Sequence, residues 1–141
     1  MMDNPDELLI NDFFVKDRQV FLQLTRENKA PRVVYDIGAG GGGWSGVVSA
    51  GFAPAEHHLF EPLNDHSQYH EKLQARLQRH AEWVIHPIAL GDSNGTCTIS
   101  IGRNAANSTL IDMRSHPALF YDRVEVPQWR LDDYVATNHL P

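Results

Sequence analysis

Five of the six residues from 38 to 43 are glycine, and such a run has few places in a folded chain. Glycine weakens the interior of a helix or a strand, so the run belongs in the turn between two elements. Before it comes Arg32-Val33-Val34-Tyr35-Asp36-Ile37, short, β-branched and aromatic, the pattern of a buried strand. After it, Trp44, Val47, Val48 and Gly51 recur at helical spacing. A strand that passes through a glycine turn into a helix opens a β-α-β unit, so the chain reads as an α/β fold with a parallel sheet.

The remaining pattern extends that reading. Upstream, Asn4, Pro5 and Glu7 have the spacing of a capped helix start. Leu9, Ile10, Phe13 and Phe14, then Val20, Phe21 and Leu24, form an apolar stripe broken at Lys16-Asp17-Arg18. Residues 1–30 therefore read as a helical segment, two short helices or one bent one, closed by Asn28-Lys29-Ala30-Pro31. Residues 31–141 form the main domain. Within it, 56–61 is a second strand stopped by Pro62, and Tyr69, Leu73 and Leu77 mark a surface helix. Residues 83–90 read as a third strand. After the turn cluster 91–95, residues 96–101 alternate and place Cys97, Ile99 and Ile101 on one face. Residues 103–117 read as loop. A strand over 124–131, confined by Pro127 to an edge, completes an accessory β-hairpin, and Asp132 caps a last turn through Tyr134 and Val135.

Charge and cysteine usage narrow the function classes. The net charge is −6 and the basic residues are scattered, which disfavours nucleic acid as a partner. A single cysteine, Cys97, excludes an internal disulfide and a multi-cysteine zinc site, and the reducing cytoplasm is the expected compartment. The acidic N-terminus lacks the apolar core of a signal peptide, and no apolar run reaches membrane-spanning length, so no membrane partner is expected.

The chemistry concentrates at the strand ends. Asp36 closes the first strand, the glycines follow, and a helix N-terminus with free N–H groups lies behind them. Glycine allows the backbone to touch a ligand, and a side chain at Gly40 is expected to fill the ligand's space. Glu61 closes the second strand, where a carboxylate can accept hydrogen bonds from both hydroxyls of a ribose. The run also satisfies G-x-G-x-x-G, so a dinucleotide and hence an NAD-dependent oxidoreductase stays open. Asp36 weighs against it: a pyrophosphate would be poorly placed beside a carboxylate, whereas a cationic sulfonium and ammonium would be attracted.

Four blocks carry a resemblance. They are Val33-Val34-Tyr35-Asp36-Ile37-Gly38-Ala39-Gly40, Leu59-Phe60-Glu61-Pro62, Ala89-Leu90-Gly91-Asp92-Ser93-Asn94-Gly95-Thr96 and Arg130-Leu131-Asp132-Asp133-Tyr134. In this order and spacing the chain resembles the FkbM family of S-adenosylmethionine (SAM)-dependent methyltransferases from about residue 32 onward. The resemblance implies a Rossmann-like class I methyltransferase fold and methyl transfer to a hydroxyl oxygen of a small molecule, such as a sugar or polyketide-like natural product. It implies that Asp36, Gly38, Ala39 and Gly40 line the methionine end of SAM, that Glu61 holds the ribose, and that Pro62, Ile88 and Ala89 flank the adenine.

The chain departs from the family after Asp133-Tyr134, where a further central strand is expected; the reading is the 3-2-1 half of the parallel sheet. On that reading the first strand is an exposed edge open to self-association, and the chain acts as a non-catalytic SAM-binding fragment or as a portion of a longer enzyme. The histidines give weaker signals. His66 and His70 have metal-ligand spacing but lie on a polar helix and read as solvated, and of His57 and His58 in the second strand one must face a helix layer, where a buried, satisfied histidine is expected. His86 and His116 are candidates to take the acceptor's proton. Trp44 reads as a core anchor in preference to a stacking platform, and the loop with Asn107, Ser108 and Thr109 as a solvated connection in preference to a substrate lid. The catalytic base is left unassigned, and no metal is expected.

Overall fold

A computed structural model describes residues 15–52 and 55–141. The chain is a mixed α/β protein with two three-stranded sheets and four helices among the described residues. The first helix, α1, spans Val15–Arg26 and contains Lys16-Asp17-Arg18 without a break. The readings placed on Asn4, Pro5, Glu7, Leu9, Ile10, Phe13 and Phe14 lie outside the described residues. Asn28, with φ of 55°, closes α1, because its left-handed backbone lets the Lys29 N–H reach back 2.8 Å to the Leu24 carbonyl. The helix thus stops before Pro31 is reached.

Strands β1 (Val33–Ile37), β2 (Glu56–Phe60) and β3 (Trp83–His86) form a parallel sheet in the order β1-β2-β3. Helix α2 (Gly43–Gly51) connects the first pair and α3 (His70–Leu77) the second. The register aligns Val34 with His57 and His57 with Trp83, so these side chains share one face of the sheet. Helices α2 and α3 cover that face: Val34 packs with Val48, Phe52 and Ala55, and Leu59 and Trp83 pack with Ala39 and Leu73. Phe21 and Leu24 of α1 join the first cluster, and Thr25 Oγ1 donates to the Gly51 carbonyl, so the described portion of the helical segment packs into the main domain.

The expected third strand divides. Pro87 lacks an N–H to continue the ladder, and after it β4 (Ala89–Leu90) joins a second sheet in the order β4-β6-β5. In that sheet β5 (Gly95–Gly102) pairs antiparallel with β6 (Phe120–Trp129), while β4 pairs parallel with β6. The accessory hairpin is therefore two strands of a separate mixed sheet, and β6 lies in its middle, not at an edge. Pro127 is tolerated because β4 meets β6 only at Gln128 and Trp129; at the proline, β5 is the sole neighbour. Ile99 and Ile101 pack with Leu63, Ala89 and Val126, and Cys97 packs against the same cluster. Helix α4 (Leu131–Asn138) is a full element with Asp132 and Asp133 in its first turn; no side chain caps it.

The second face of the parallel sheet is aromatic. Tyr35 lies edge-on to His58 and Phe60, and Tyr134 of α4 lies edge-on to Phe60 and His86. Tyr35 Oη donates to the Pro141 carbonyl at 2.7 Å. His58 Nδ1 stands 2.9 Å from His86 Nε2, and His86 Nδ1 3.1 Å from Tyr134 Oη. Glu56 Oε1 lies 3.0 Å from His58 Nε2, in ion-pair range but without the alignment of a hydrogen bond. A carboxylate on that side favours a proton on His58 Nε2. His58 Nδ1 then accepts from His86 Nε2–H, and the Tyr134 hydroxyl donates to His86 Nδ1. On the opposite face His57 is fully buried; Ser49 Oγ is 3.3 Å from its Nε2, and its Nδ1 has no partner.

These histidines make stability depend on pH. Burial pushes the pKa of His57 down, Glu82 opposing and His80 and His58 adding to the fall; burial and then His58 push His86 down. The unfolded chain, with histidines near their ordinary value of about 6.5, therefore binds more protons than the native one as the solution is acidified. Stability is full above that value and declines as pH falls through it. The urea midpoint is expected to be lower at about pH 5.5 than at about pH 7.5, and His86→Gln to reduce the difference. A midpoint unchanged between the two would contradict this.

Candidate functional site

The cleft lies where β1 and β2 end and where the chain bends from β3 into β4. Its volume is about 550 Å³, within the range of small-molecule pockets. All eight residues singled out in the sequence line it: Asp36, Gly38, Ala39, Gly40, Glu61, Pro62, Ile88 and Ala89.

The glycine turn hangs on the end of β2. The Gly38 and Ala39 N–H groups both donate to the Phe60 carbonyl, at 2.9 and 3.2 Å. Glu61 then grips the turn from below: its Oε2 accepts the Gly40 N–H at 2.7 Å and its Oε1 the Leu63 N–H at 2.8 Å. Gly38, Gly40 and Gly42 all have positive φ. A Cβ on Gly38 would meet nothing within 4 Å, whereas one on Gly40 would lie 3.3 Å from the Tyr69 ring. Gly40 thus makes room for Tyr69, and a side chain there acts first on that ring and on backbone strain, not by filling open cleft space. Of these three, Gly42 has the tightest surroundings, since a Cβ there would come within 2.9 Å of the Trp83 ring.

Asp36 is 7% exposed and accepts a 2.6 Å hydrogen bond from Ser45 Oγ in the first turn of α2. Burial pushes its pKa up, with the hydroxyl and backbone N–H of Ser45 opposing. Burial likewise raises Glu61; the Leu63 and Gly40 amides oppose, and the Asp36 charge adds to the rise. The two carboxylates therefore share one poorly solvated cleft. Among the described residues no lysine, arginine or histidine lines it. Arg76 donates to the Gly41 carbonyl from outside the lining.

Other residues belong to the cleft that the sequence did not assign to it. Leu63, Tyr69, Ile99, Ala105, Ser108, Thr109 and Leu110 complete the wall, with Tyr69 packed against the cluster that holds Leu63 and Ile99. Most of that wall belongs to the 103–117 loop, read from sequence as a solvated connection. Gln68 holds it: its Oε1 accepts from Ala105 N and its Nε2 donates to the Arg103 carbonyl. Trp44 both lines the cleft and packs edge-on to Phe21, so it is an anchor and a wall at once.

The histidine candidates lie elsewhere. His86 is buried between His58 and Tyr134 on the far face of the sheet, and His116 is exposed beside Ser115; neither lines the cleft. His66 contacts Tyr121 Oη and His70 contacts Asp65. No group of three metal-ligating side chains occurs among the described residues, and no described helix is long and apolar enough to cross a membrane. No protein-family model, curated protein or solved structure matches the chain.

Two substitutions test the construction of the turn. Glu61→Ala leaves the Gly40 and Leu63 amides without their acceptor and is expected to lower unfolding free energy by about 1–3 kcal/mol. Gly42→Ala forces a Cβ against Trp83 at positive φ and is expected to cost a similar amount, about 1–3 kcal/mol. Urea denaturation measures both, and wild-type midpoints in either variant would refute the corresponding contact.

Proposed function

We propose that the cleft binds S-adenosylmethionine and that the protein serves transfer of its methyl group to a hydroxyl oxygen of a small molecule, on a Rossmann-like arrangement of the class I methyltransferase kind. One observation carries the reading: two buried carboxylates flank a glycine turn in a cleft without a cationic side chain among the described residues. Such a field favours a cationic ligand. It equally disfavours the pyrophosphate of a dinucleotide, and with it the NAD-dependent oxidoreductase reading.

The residues fit each portion of the cofactor. Each Glu61 oxygen accepts one backbone N–H and keeps a further lone-pair direction for a ribose hydroxyl. Asp36 keeps acceptor capacity beside its Ser45 contact for an ammonium, directly or through water. Pro62, Ile88 and Ala89 offer apolar surface for a purine. When bound, the cofactor supplies an activated methyl group on a sulfonium. The chain's role is to position the acceptor in line and to exclude water. A second reading, binding without turnover, draws on the same lining: among the described residues its titratable groups are Asp36, Glu61 and Tyr69, with no histidine.

Calorimetric titration with SAM, S-adenosylhomocysteine and NADH tests the cofactor, and methyl incorporation into hydroxylated acceptors separates transfer from binding. Glu61→Ala is expected to weaken SAM by about ten- to hundredfold. Asp36→Asn is expected to weaken SAM more than the uncharged thioether product. Because both carboxyl pKa values are raised, affinity for SAM should fall on acidification sooner than ordinary carboxylates would allow. Tight NADH binding without SAM binding would overturn the proposal.

A further inference from the structure

A carboxylate can satisfy only half of a ribose. Each ribose hydroxyl donates one hydrogen and accepts at two lone pairs, and an ionised Glu61 accepts only. A site that recognises the diol therefore needs a donor close to Glu61. The cleft holds no lysine, arginine or histidine among the described residues, so that donor must be a neutral group.

Tyr69 meets the requirement. It precedes α3, lines the cleft and packs against the Leu63–Ala89–Ile99 cluster, which fixes its ring. Both Tyr69 and Glu61 converge on Gly40: Glu61 holds its amide, and the Tyr69 ring and hydroxyl lie 3.3 and 3.7 Å from where a Gly40 Cβ would stand. Among the described residues the Tyr69 hydroxyl has no hydrogen-bond partner. The other cleft hydroxyls, Ser108 and Thr109, belong to the 103–117 loop, whereas the three atoms nearest to where a Gly40 Cβ would stand are all from Tyr69. Burial and the charge of Glu61 push the Tyr69 pKa up, so the phenol keeps its proton at neutral pH and donates.

We infer that Tyr69 is a ribose-recognition residue, its hydroxyl donating to the same cofactor diol whose hydroxyls Glu61 accepts. The assignment rests on the SAM reading of the cleft. It makes Glu61 and Tyr69 a donor–acceptor pair built around one glycine, and it makes the site selective for a ribonucleoside over its deoxy counterpart. A site that hydrogen-bonds a ligand hydroxyl rejects the analogue lacking it far more strongly than an apolar pocket does.

Tyr69→Phe tests this, since it removes the unpartnered oxygen and leaves the ring in place. Affinity for SAM is expected to fall about tenfold by titration calorimetry, with the thermal melt unchanged. The decisive readout uses the 2′-deoxy and 3′-deoxy analogues of S-adenosylhomocysteine. For the analogue that lacks the contacted hydroxyl, wild type and Tyr69→Phe should bind equally, because the interaction is absent from both. A loss of the same size on S-adenosylhomocysteine and both deoxy analogues would show a packing effect and overturn the assignment, as would unchanged affinity for SAM. If the variant melts lower, nitration of wild-type Tyr69 by tetranitromethane serves instead: SAM should protect it, and absence of protection overturns the assignment. Wild-type protein that binds neither SAM nor its product overturns the cofactor reading itself. Wild-type binding with an indifferent Tyr69→Phe overturns only the role of Tyr69.

Discussion

The cleft depends on one buried carboxylate bonded to backbone on two sides. Glu61 accepts from Gly40 across the turn and from Leu63 along its own segment. Without it, the four consecutive glycines from Gly40 to Gly43 would keep the Phe60 carbonyl at the start of the turn, the Gly42 N–H to Ala39 carbonyl bond and the Arg76 contact to Gly41, but would lose the tie between Gly40 and the end of β2. Burying a charge is costly unless hydrogen bonds compensate it, and here the compensating donors are the amides that must be held in place. The same bonds that make Glu61 tolerable inside the protein therefore shape the cleft. The raised pKa values of Glu61 and Asp36 record the residual cost, because the amide and hydroxyl contacts do not fully offset desolvation.

A second joint lies behind the cleft, at His86. Its carbonyl accepts from Glu61 N at 3.1 Å and from Ile88 N at 2.8 Å, while its ring contacts His58 and Tyr134. A single residue thus ties the end of β2 to the bend into β4 and to the helix packed on the far face. His86 therefore supports the cleft from behind without touching what the cleft would hold.

The parallel sheet was legible because its signals are local. A β-branched run, a glycine turn and a helical stripe stand in consecutive residues and imply parallel β-α-β units, while the order β1-β2-β3 is the one the family resemblance implies. Asp36, the glycines and Glu61 were legible for the same reason, since parallel strands bring their C-terminal ends to one side, whereas Pro62, Ile88 and Ala89 entered only through the family resemblance. The division of residues 83–90 was not, because it depends on where β6 lies, more than thirty residues away. Pro87 marked the break, but nothing beside it named the new neighbour. Pro127 misled in the opposite direction: the rule that proline avoids central strands holds locally, and β4 begins one position too late to violate it. Tyr69 was legible only as one apolar position of a helix stripe. Its place in the cleft comes from the Gly40 turn and the second sheet, neither of which its own segment specifies.

The glycine run also bears on the unfolded chain. Gly38, Gly40 and Gly42 alternate in left-handed conformations that other residues resist, but Gly41 between them does not, and a Cβ on it would make only ordinary contacts of 3.5 Å with Lys72 and Arg76. At that position the native backbone gains nothing from glycine, while the denatured ensemble gains the conformational freedom of a residue without a side chain. Alanine at Gly41 would remove about 0.4–1 kcal/mol of that freedom and leave the fold more stable than before. The glycine at this position is thus a standing entropic load on folding that the geometry of the free protein does not require.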